Sequence, residues 1–192
     1  MHGSFGPMTT DRWPLAYLLH TRIGSAANRT SGSPASRPIT PASRRRIGST
    51  ATPFTTVMRF VDTNVLLYAI SSHPAEAEKS ARAAALLNEP DLALSVQVLQ
   101  EFYVQATRAT AVSPLPHETA AAFIETLLRF PVQQTTVPLV QAALSAKARW
   151  GLSYRDAAIV EAARALGCRE LCSEDLQHGQ DFDGVRVVDP FR

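Results

Sequence analysis

Met58-Arg59-Phe60-Val61-Asp62-Thr63-Asn64-Val65-Leu66-Leu67-Tyr68 is the stretch on which the fold turns. Phe60 and Val61 run straight into Asp62. A short apolar run that stops at Asp-Thr-Asn reads as a buried strand with an acid at its carboxyl end. Three further acids stand at places where a soluble domain favours apolar side chains. Glu101 lies in Ser95-Val96-Gln97-Val98-Leu99-Gln100-Glu101-Phe102, a strand end passing into a helix. At about 100 degrees per residue it falls between Val98 and Phe102, at the edge of the inward stripe. Asp156 opens Tyr154-Arg155-Asp156-Ala157-Ala158-Ile159-Val160, and its neighbours at i+3, i+4 and i+7 are Ile159, Val160 and Ala163, so it is expected to point at the core. Asp175 follows Leu171-Cys172-Ser173-Glu174, where a second short strand gives way to a loop.

Each acid has an ordinary explanation. Asp62 suits a strand-end turn or a helix N-cap, Glu101 a solvated helix face, Asp156 the first turn of a helix whose dipole favours it, and Asp175 a loop. Their common placement is what a domain of this kind does not provide by chance. Burying an unpartnered carboxylate costs several kcal/mol, and like charges side by side push one another's pKa upward. A chain that gathers them needs a cation, and hard oxygen ligands suit Mg²⁺ or Mn²⁺.

The rest of the chain alternates strands with helices. Pro74–Leu87 reads as a helix with proline in its first turn, Asp91–Ser95 as a buried strand, and the Glu101 helix as running to about Ala109. His117–Phe130 follows as a helix with Ala121, Ile124, Leu127 and Leu128 inward, then a brief strand within Val132–Val137. Helices over Pro138–Trp150 and Tyr154–Leu166 are stopped by Gly151 and Gly167, and Leu171-Cys172 and Val185–Val188 supply the last strands. Ser153 reads as a helix cap and Tyr154 as a packing residue. The order predicts an α/β sandwich with a mainly parallel sheet, whose ligand crevice lies beyond the carboxyl ends of its strands. Asp62 and Asp175 then share one rim, to which the helices bring Glu101 and Asp156. Arg155 beside them suits either a phosphate contact or a surface arginine.

In order, Asp-Thr-Asn after an apolar strand, a helix-borne Glu, Arg-Asp-Ala-Ala-Ile-Val and Ser-Glu-Asp-Leu before a Val-Arg-Val-Val strand resemble the PIN-domain nucleases. Among these the chain looks most like the VapC-type ribonuclease toxins, over about Met58 to Arg192. The resemblance implies a three-layer PIN-like fold and a Mg²⁺- or Mn²⁺-dependent RNA endonuclease. Its catalytic and metal-binding acids map onto Asp62, Glu101, Asp156 and Asp175, with Thr63, Asn64 and Ser173 as polar support. It also implies 5′-phosphate and 3′-hydroxyl products, a homodimer, and a cognate antitoxin whose arginine pairs with the carboxylates. The last acidic position is the least fixed in the family, and Glu174, Asp181 and Asp183 compete with Asp175 for it. Two rivals stand beside this reading: a catalytically silent PIN-like RNA- or protein-binding module, and an aspartyl phosphatase with Asp62 as nucleophile. The second needs another Asp two residues on, where position 64 is Asn.

Composition divides the chain at about residue 57. Residues 1–57 hold seven arginines, no lysine and one acid, Asp11, a net of +6, while residues 58–192 hold twelve basic and sixteen acidic side chains, a net of −4. Together these give the +2 of the whole chain. The basic excess belongs to the leader, so the net charge of the domain gives no support for nucleic-acid binding, and any grip on RNA comes from local groups or from metal. The leader is rich in Ser, Pro and Arg and poor in core formers, and is expected to be disordered. Its composition is like that of a transit peptide, but Met58 stands immediately before the first strand, and translation is expected to begin near it. A tail that touches RNA or a partner is the alternative. Cys168 and Cys172, the two cysteines of the chain, suit a reducing cytoplasm rather than a zinc site or disulfide framework, and no apolar stretch is long enough for a membrane span. A truncated variant beginning at Met58 is expected to fold and keep full activity, and limited proteolysis of the full chain to trim it to near residue 58. Unfolding or loss of activity on truncation would make the leader a working part.

Overall fold

The computed structural model describes residues 57–192, Val112 excepted, so what the sequence predicts for residues 1–56 lies outside the described residues. In chain order the elements are β1 (Arg59–Val61), α1 (Thr63–Ile70), a 3₁₀ turn (Pro74–Glu76), α2 (Ala77–Leu87), β2 (Leu92–Ser95), α3 (Val96–Thr107) and α4 (His117–Leu127). They continue with β3 (Val132–Gln133), α5 (Val137–Trp150), α6 (Tyr154–Ala165), β4 (Glu170–Cys172), β5 (Asp181–Phe182) and β6 (Val185–Val188).

Several helices begin where a side chain satisfies an amide that the first turn leaves unbonded. Asp62 caps α1 by accepting from the Thr63 amide, Ser95 caps α3 through Val98, Thr136 caps α5 through Leu139, and Ser153 caps α6 through Asp156. Two of these caps, Asp62 and Ser95, sit at the very ends of β1 and β2. Strand therefore passes into helix without a loop, and the residue at each junction stands on the carboxyl rim of the sheet.

The strands lie in the order β3-β2-β1-β4-β6-β5. All neighbours are parallel except β5, which runs antiparallel to β6 at the edge. On β1 the register pairs Val61 with Cys172 of β4, so that Asp62 and Ser173, each one residue further on, stand side by side. All four residues of β2 are buried, as a strand covered on both faces requires. Helices α1 to α4 pack against one another in one layer, with α1 against both α2 and α3, and α5 pairs with α6 in a second layer. The described residues thus form the expected three-layer sandwich. Phe60, Val61, Leu94, Phe102, Leu127, Ile159, Leu171 and Val187 are essentially inaccessible between the layers, and complete burial of side chains of this size contributes about 1.5–3 kcal/mol apiece. The seam between α5 and α6 is built from Ala143, Ala146, Ala157 and Ala158, with Trp150 and Leu152 against it. Methyl side chains let the two helix backbones approach closely, and this fixes where the first turn of α6 lies.

Four details depart from the sequence reading. The inward face of α4 is Ala120, Phe123 and Leu127, one residue out of phase with the predicted stripe, and Leu128 is half exposed. The helix ends at Leu127, and Phe130 is buried beyond it. Strand β5 was not foreseen. It is two residues long, but its Asp183-Gly184 turn, with φ of 51° and 93°, is the Asp-Gly signal of a tight hairpin. Tyr154 is exposed rather than a packing residue. Cys168 and Cys172 are free and buried, and burial pushes their thiols up to about 11 and about 12, so both are inert. Among the described residues no helix is long and apolar enough to cross a membrane.

Gly151 closes α5 in the left-handed region, φ 67°, with nothing within 4 Å of where a Cβ would stand. Gly151→Ala therefore meets no clash and isolates backbone strain, with an expected loss of about 1 kcal/mol. Urea denaturation should show a lower midpoint at unchanged slope; an unchanged midpoint would mean that the turn relaxes freely.

Candidate active site

Asp62 is 3% exposed. One carboxylate oxygen accepts from the Thr63 amide at 2.6 Å, and the other from the Ser173 hydroxyl at 2.7 Å and, more weakly, from Asn64 Nδ2 at 3.4 Å. Burial is the largest influence on its proton affinity and raises the pKa. The hydrogen bonds from Ser173 and Thr63 lower it, the charge of Asp175 raises it, the charge of Arg155 lowers it, and the result is about 6 against an ordinary 3.8. The cap and the site are thus the same residue: Asp62 starts α1 and at the same time presents a costly buried carboxylate to the rim.

Glu101 stands in the second turn of α3, half-buried. Its Oε2 accepts from the Thr63 hydroxyl at 3.2 Å, and its Oε1 accepts from Gln105 Nε2 at 3.0 Å and pairs with Arg155 Nη1 at 2.7 Å. Thr63 therefore connects the two acids, with its amide on Asp62 and its hydroxyl on Glu101. Asp175 is joined to Asp62 through Ser173, whose hydroxyl accepts from the Asp175 amide at 3.2 Å while donating to Asp62.

The competitors of Asp175 are occupied elsewhere. Glu174 is paired with Lys79 and accepts from the Tyr68 hydroxyl. Asp183 is paired with Arg149, and Asp181 accepts from the Gly184 amide in the β5–β6 turn. Of these four acids, Asp175 is the one whose charge is felt at Asp62.

Asp156 corrects an expectation. Its side chain does not point at the core: it is partly exposed and accepts from the Ser153 hydroxyl at 2.7 Å, while its amide donates back to the same oxygen at 3.1 Å. At the third position of α6, an acid turns toward the cap because the amides there attract it more strongly than apolar neighbours do. Asp156 shares no hydrogen bond with the other three acids, and its place at the rim is defined through its neighbour Arg155.

In donor chemistry the set fits a hard divalent cation: carboxylates and hydroxyls, with Asp62 held dehydrated. In arrangement it is not closed, because among the described residues no three His, Cys, Asp or Glu side chains lie together closely enough to hold an ion. Two contributors escaped the sequence reading. Gln105, one turn beyond Glu101, had the i, i+4 spacing as its signal; Gln97, which donates to the Arg155 carbonyl at 3.4 Å, had none. Three histidines do structural work: His73 caps the 3₁₀ turn, His117 meets Tyr103, and His178 accepts from the Asp189 amide.

A parallel sheet with acids gathered on its carboxyl rim marks a class of α/β proteins that bind ligands beyond their strand ends. The chain belongs to the PIN domain family, whose model matches residues 59–180. That span includes Asp62, Glu101, Asp156 and Asp175 and leaves out Asp181 and Asp183. Among solved structures, the chain is similar to a toxin–antitoxin complex from Klebsiella pneumoniae, at 21% identity over 69% of this chain and 97% of that one, TM-score 0.50. It is equally similar to DNA-bound VapBC from Salmonella typhimurium, at 21% identity over 70% of this chain and 98% of that one, TM-score 0.50. At this identity the likeness is one of fold. No curated protein sequence matches the chain.

The raised pKa of Asp62 sets a pH dependence. Below 3.8 the group is protonated in both states; above it the unfolded chain releases the proton while the fold retains it up to about 6, so stability falls across that window. The loss is on the order of 3 kcal/mol if the whole shift is expressed. In EDTA, Asp62→Asn, which keeps a good cap, is expected to melt like the wild type near pH 4 and several degrees higher at pH 7.5. Equal melting at both values would mean that Asp62 carries no such penalty.

Proposed function

We propose that the protein is a divalent-metal-dependent endoribonuclease and the toxin of a toxin–antitoxin pair, with Asp62, Glu101, Asp156 and Asp175 as its acidic site. The observation that carries this reading is Asp62. In a chain of the PIN domain family, a carboxylate kept nearly free of solvent at a strand end, at the expense of stability, has its purpose in binding or chemistry. Mg²⁺ or Mn²⁺, when bound, supplies an acidified water and offsets charge developing on the phosphate and the leaving oxygen.

The chain's own groups do the holding. Ser173 and the Thr63 amide fix both oxygens of Asp62, and Thr63 and Gln105 orient Glu101. Beside the acids, a cavity of about 430 Å³ runs between α1 and α3 and is lined by Asn64, Tyr68, Ser71, Gln105 and Arg108 among others. Asn64 and Gln105, which hydrogen-bond to Asp62 and Glu101, also form part of its wall, so a strand lying in the groove reaches the acids directly. Arg108 offers a cation to its backbone, which suits a domain whose net charge is negative. The phosphatase reading is disfavoured, since position 64 supplies an amide that donates to Asp62 and not an acid to protonate a leaving group.

The Klebsiella structure is a toxin–antitoxin complex and the Salmonella one a DNA-bound VapBC, which supports a cognate antitoxin as partner; a homodimer completes the proposal. Asp62→Asn is expected to abolish RNA cleavage and weaken Mn²⁺ binding at an unchanged circular dichroism spectrum, and 5′-end mapping after induction should reveal discrete cuts by the wild type alone. Undiminished cleavage by this variant would remove Asp62 from the reaction. A folded wild type that binds RNA and cuts none in Mg²⁺ or Mn²⁺ would leave a binding module instead.

A further inference from the structure

The acidic rim has a cation built into it. Both oxygens of Glu101 already accept from neutral donors of this chain, Thr63 and Gln105. Its charged partner is the guanidinium of Arg155, an ion pair with Nη1 2.7 Å from Oε1, on the residue that immediately precedes Asp156. The pair is screened from water on one side only: the Glu101 side chain is 18% exposed and that of Arg155 is 42% exposed.

Arg155 is well placed but poorly satisfied. Its backbone is tied to α3, where Gln97 donates to its carbonyl, yet among the described residues Glu101 is the one acid it pairs with, and its buried Nε finds no partner there. Arginine–carboxylate pairs are frequently bidentate, with two parallel N–H···O bonds. Here the pairing is a single Nη1–Oε1 contact, and its acid is the helix-borne acid of the site.

We infer that Arg155 and a divalent cation are alternative partners of Glu101, so that the guanidinium stands in for the metal while none is bound and must yield Glu101 when one arrives. The inference rests on the metal chemistry of the proposed function. While Oε1 is paired with the guanidinium, Glu101 offers a cation Oε2 alone and cannot grip it with both oxygens. The competition makes Arg155 a positioning residue with two opposed effects: it stabilises the metal-free domain by neutralising the rim, and it weakens metal binding by competing for a ligand.

Calorimetric titration of Mn²⁺ into the full chain tests this. R155Q is expected to bind Mn²⁺ about fivefold more tightly than the wild type, the scale of a half-exposed ion pair, and to melt lower in EDTA with a larger gain on adding Mn²⁺. R155K, which keeps a positive charge within reach, should bind near the wild-type level. In an E101Q background R155Q should tighten Mn²⁺ binding clearly less than it does in the wild type, leaving only the effect of the Arg155 charge on Asp62, because the direct competition needs the Glu101 carboxylate. In the wild type itself, saturating Mg²⁺ should shift the Arg155 side-chain ¹⁵Nε resonance, a measurement that needs no substitution. Equal or weaker Mn²⁺ binding by R155Q, full tightening without Glu101, or an unmoved Arg155 resonance would each overturn the inference and leave the proposed function standing. A wild type that binds no Mn²⁺ would defeat both.

Discussion

A hydrogen bond of 3.0 Å from the Asp62 amide to the Cys172 carbonyl extends the β1–β4 ladder by one residue, and the arrangement of the site depends on it. It holds Asp62 level with Ser173, so the hydroxyl reaches the carboxylate, and from Ser173 the contact passes to Asp175. A slip of one residue would exchange the faces of every side chain on β1. Phe60 and Val61 are both wholly buried, on opposite faces, so a slip would force each into space packed for the other. The apolar core thus fixes the register, and the register fixes the acids.

Sixteen acidic side chains over residues 58–192 receive very different treatment. Glu174 and Asp183 are matched by Lys79 and Arg149, which turns them into ties between elements: Lys79 lies over the Tyr68 ring, and Arg149 over Trp150. Asp62 has hydrogen bonds but, among the described residues, no ion pair, and burial leaves it reluctant to ionise. Glu101 lies between these cases, with two neutral donors and one cation. This gradation separates acids that hold the fold from acids that the fold holds for another purpose, a distinction that counting carboxylates in a sequence does not make.

The second helical layer reaches the site through small side chains. The alanine seam between α5 and α6 sets the first turn of α6 close to α3, where Gln97 fastens the Arg155 carbonyl. Arg155 is thereby brought to Glu101 from the opposite layer, 54 residues away in the chain. Asp156 arrives with it but turns back to its own cap.

From the sequence alone came the sandwich, the mainly parallel sheet, most of the helices, and the rim on which Asp62, Glu101 and Asp175 stand. Those are consequences of local pattern: an apolar run ending in an acid, a helical stripe with one carboxylate at its edge, glycines after helices. The tertiary structure alone decided which charges meet. It chose Asp175 over Glu174, Asp181 and Asp183 as the neighbour of Asp62, turned Asp156 to Ser153, and set Arg155 against Glu101. Periodicity tells which side of a helix a residue occupies, to within the error seen in α4. It carries no information about a partner in another layer, because that partner is determined by how closely the helices pack and by strand register, and both are properties of the assembled core.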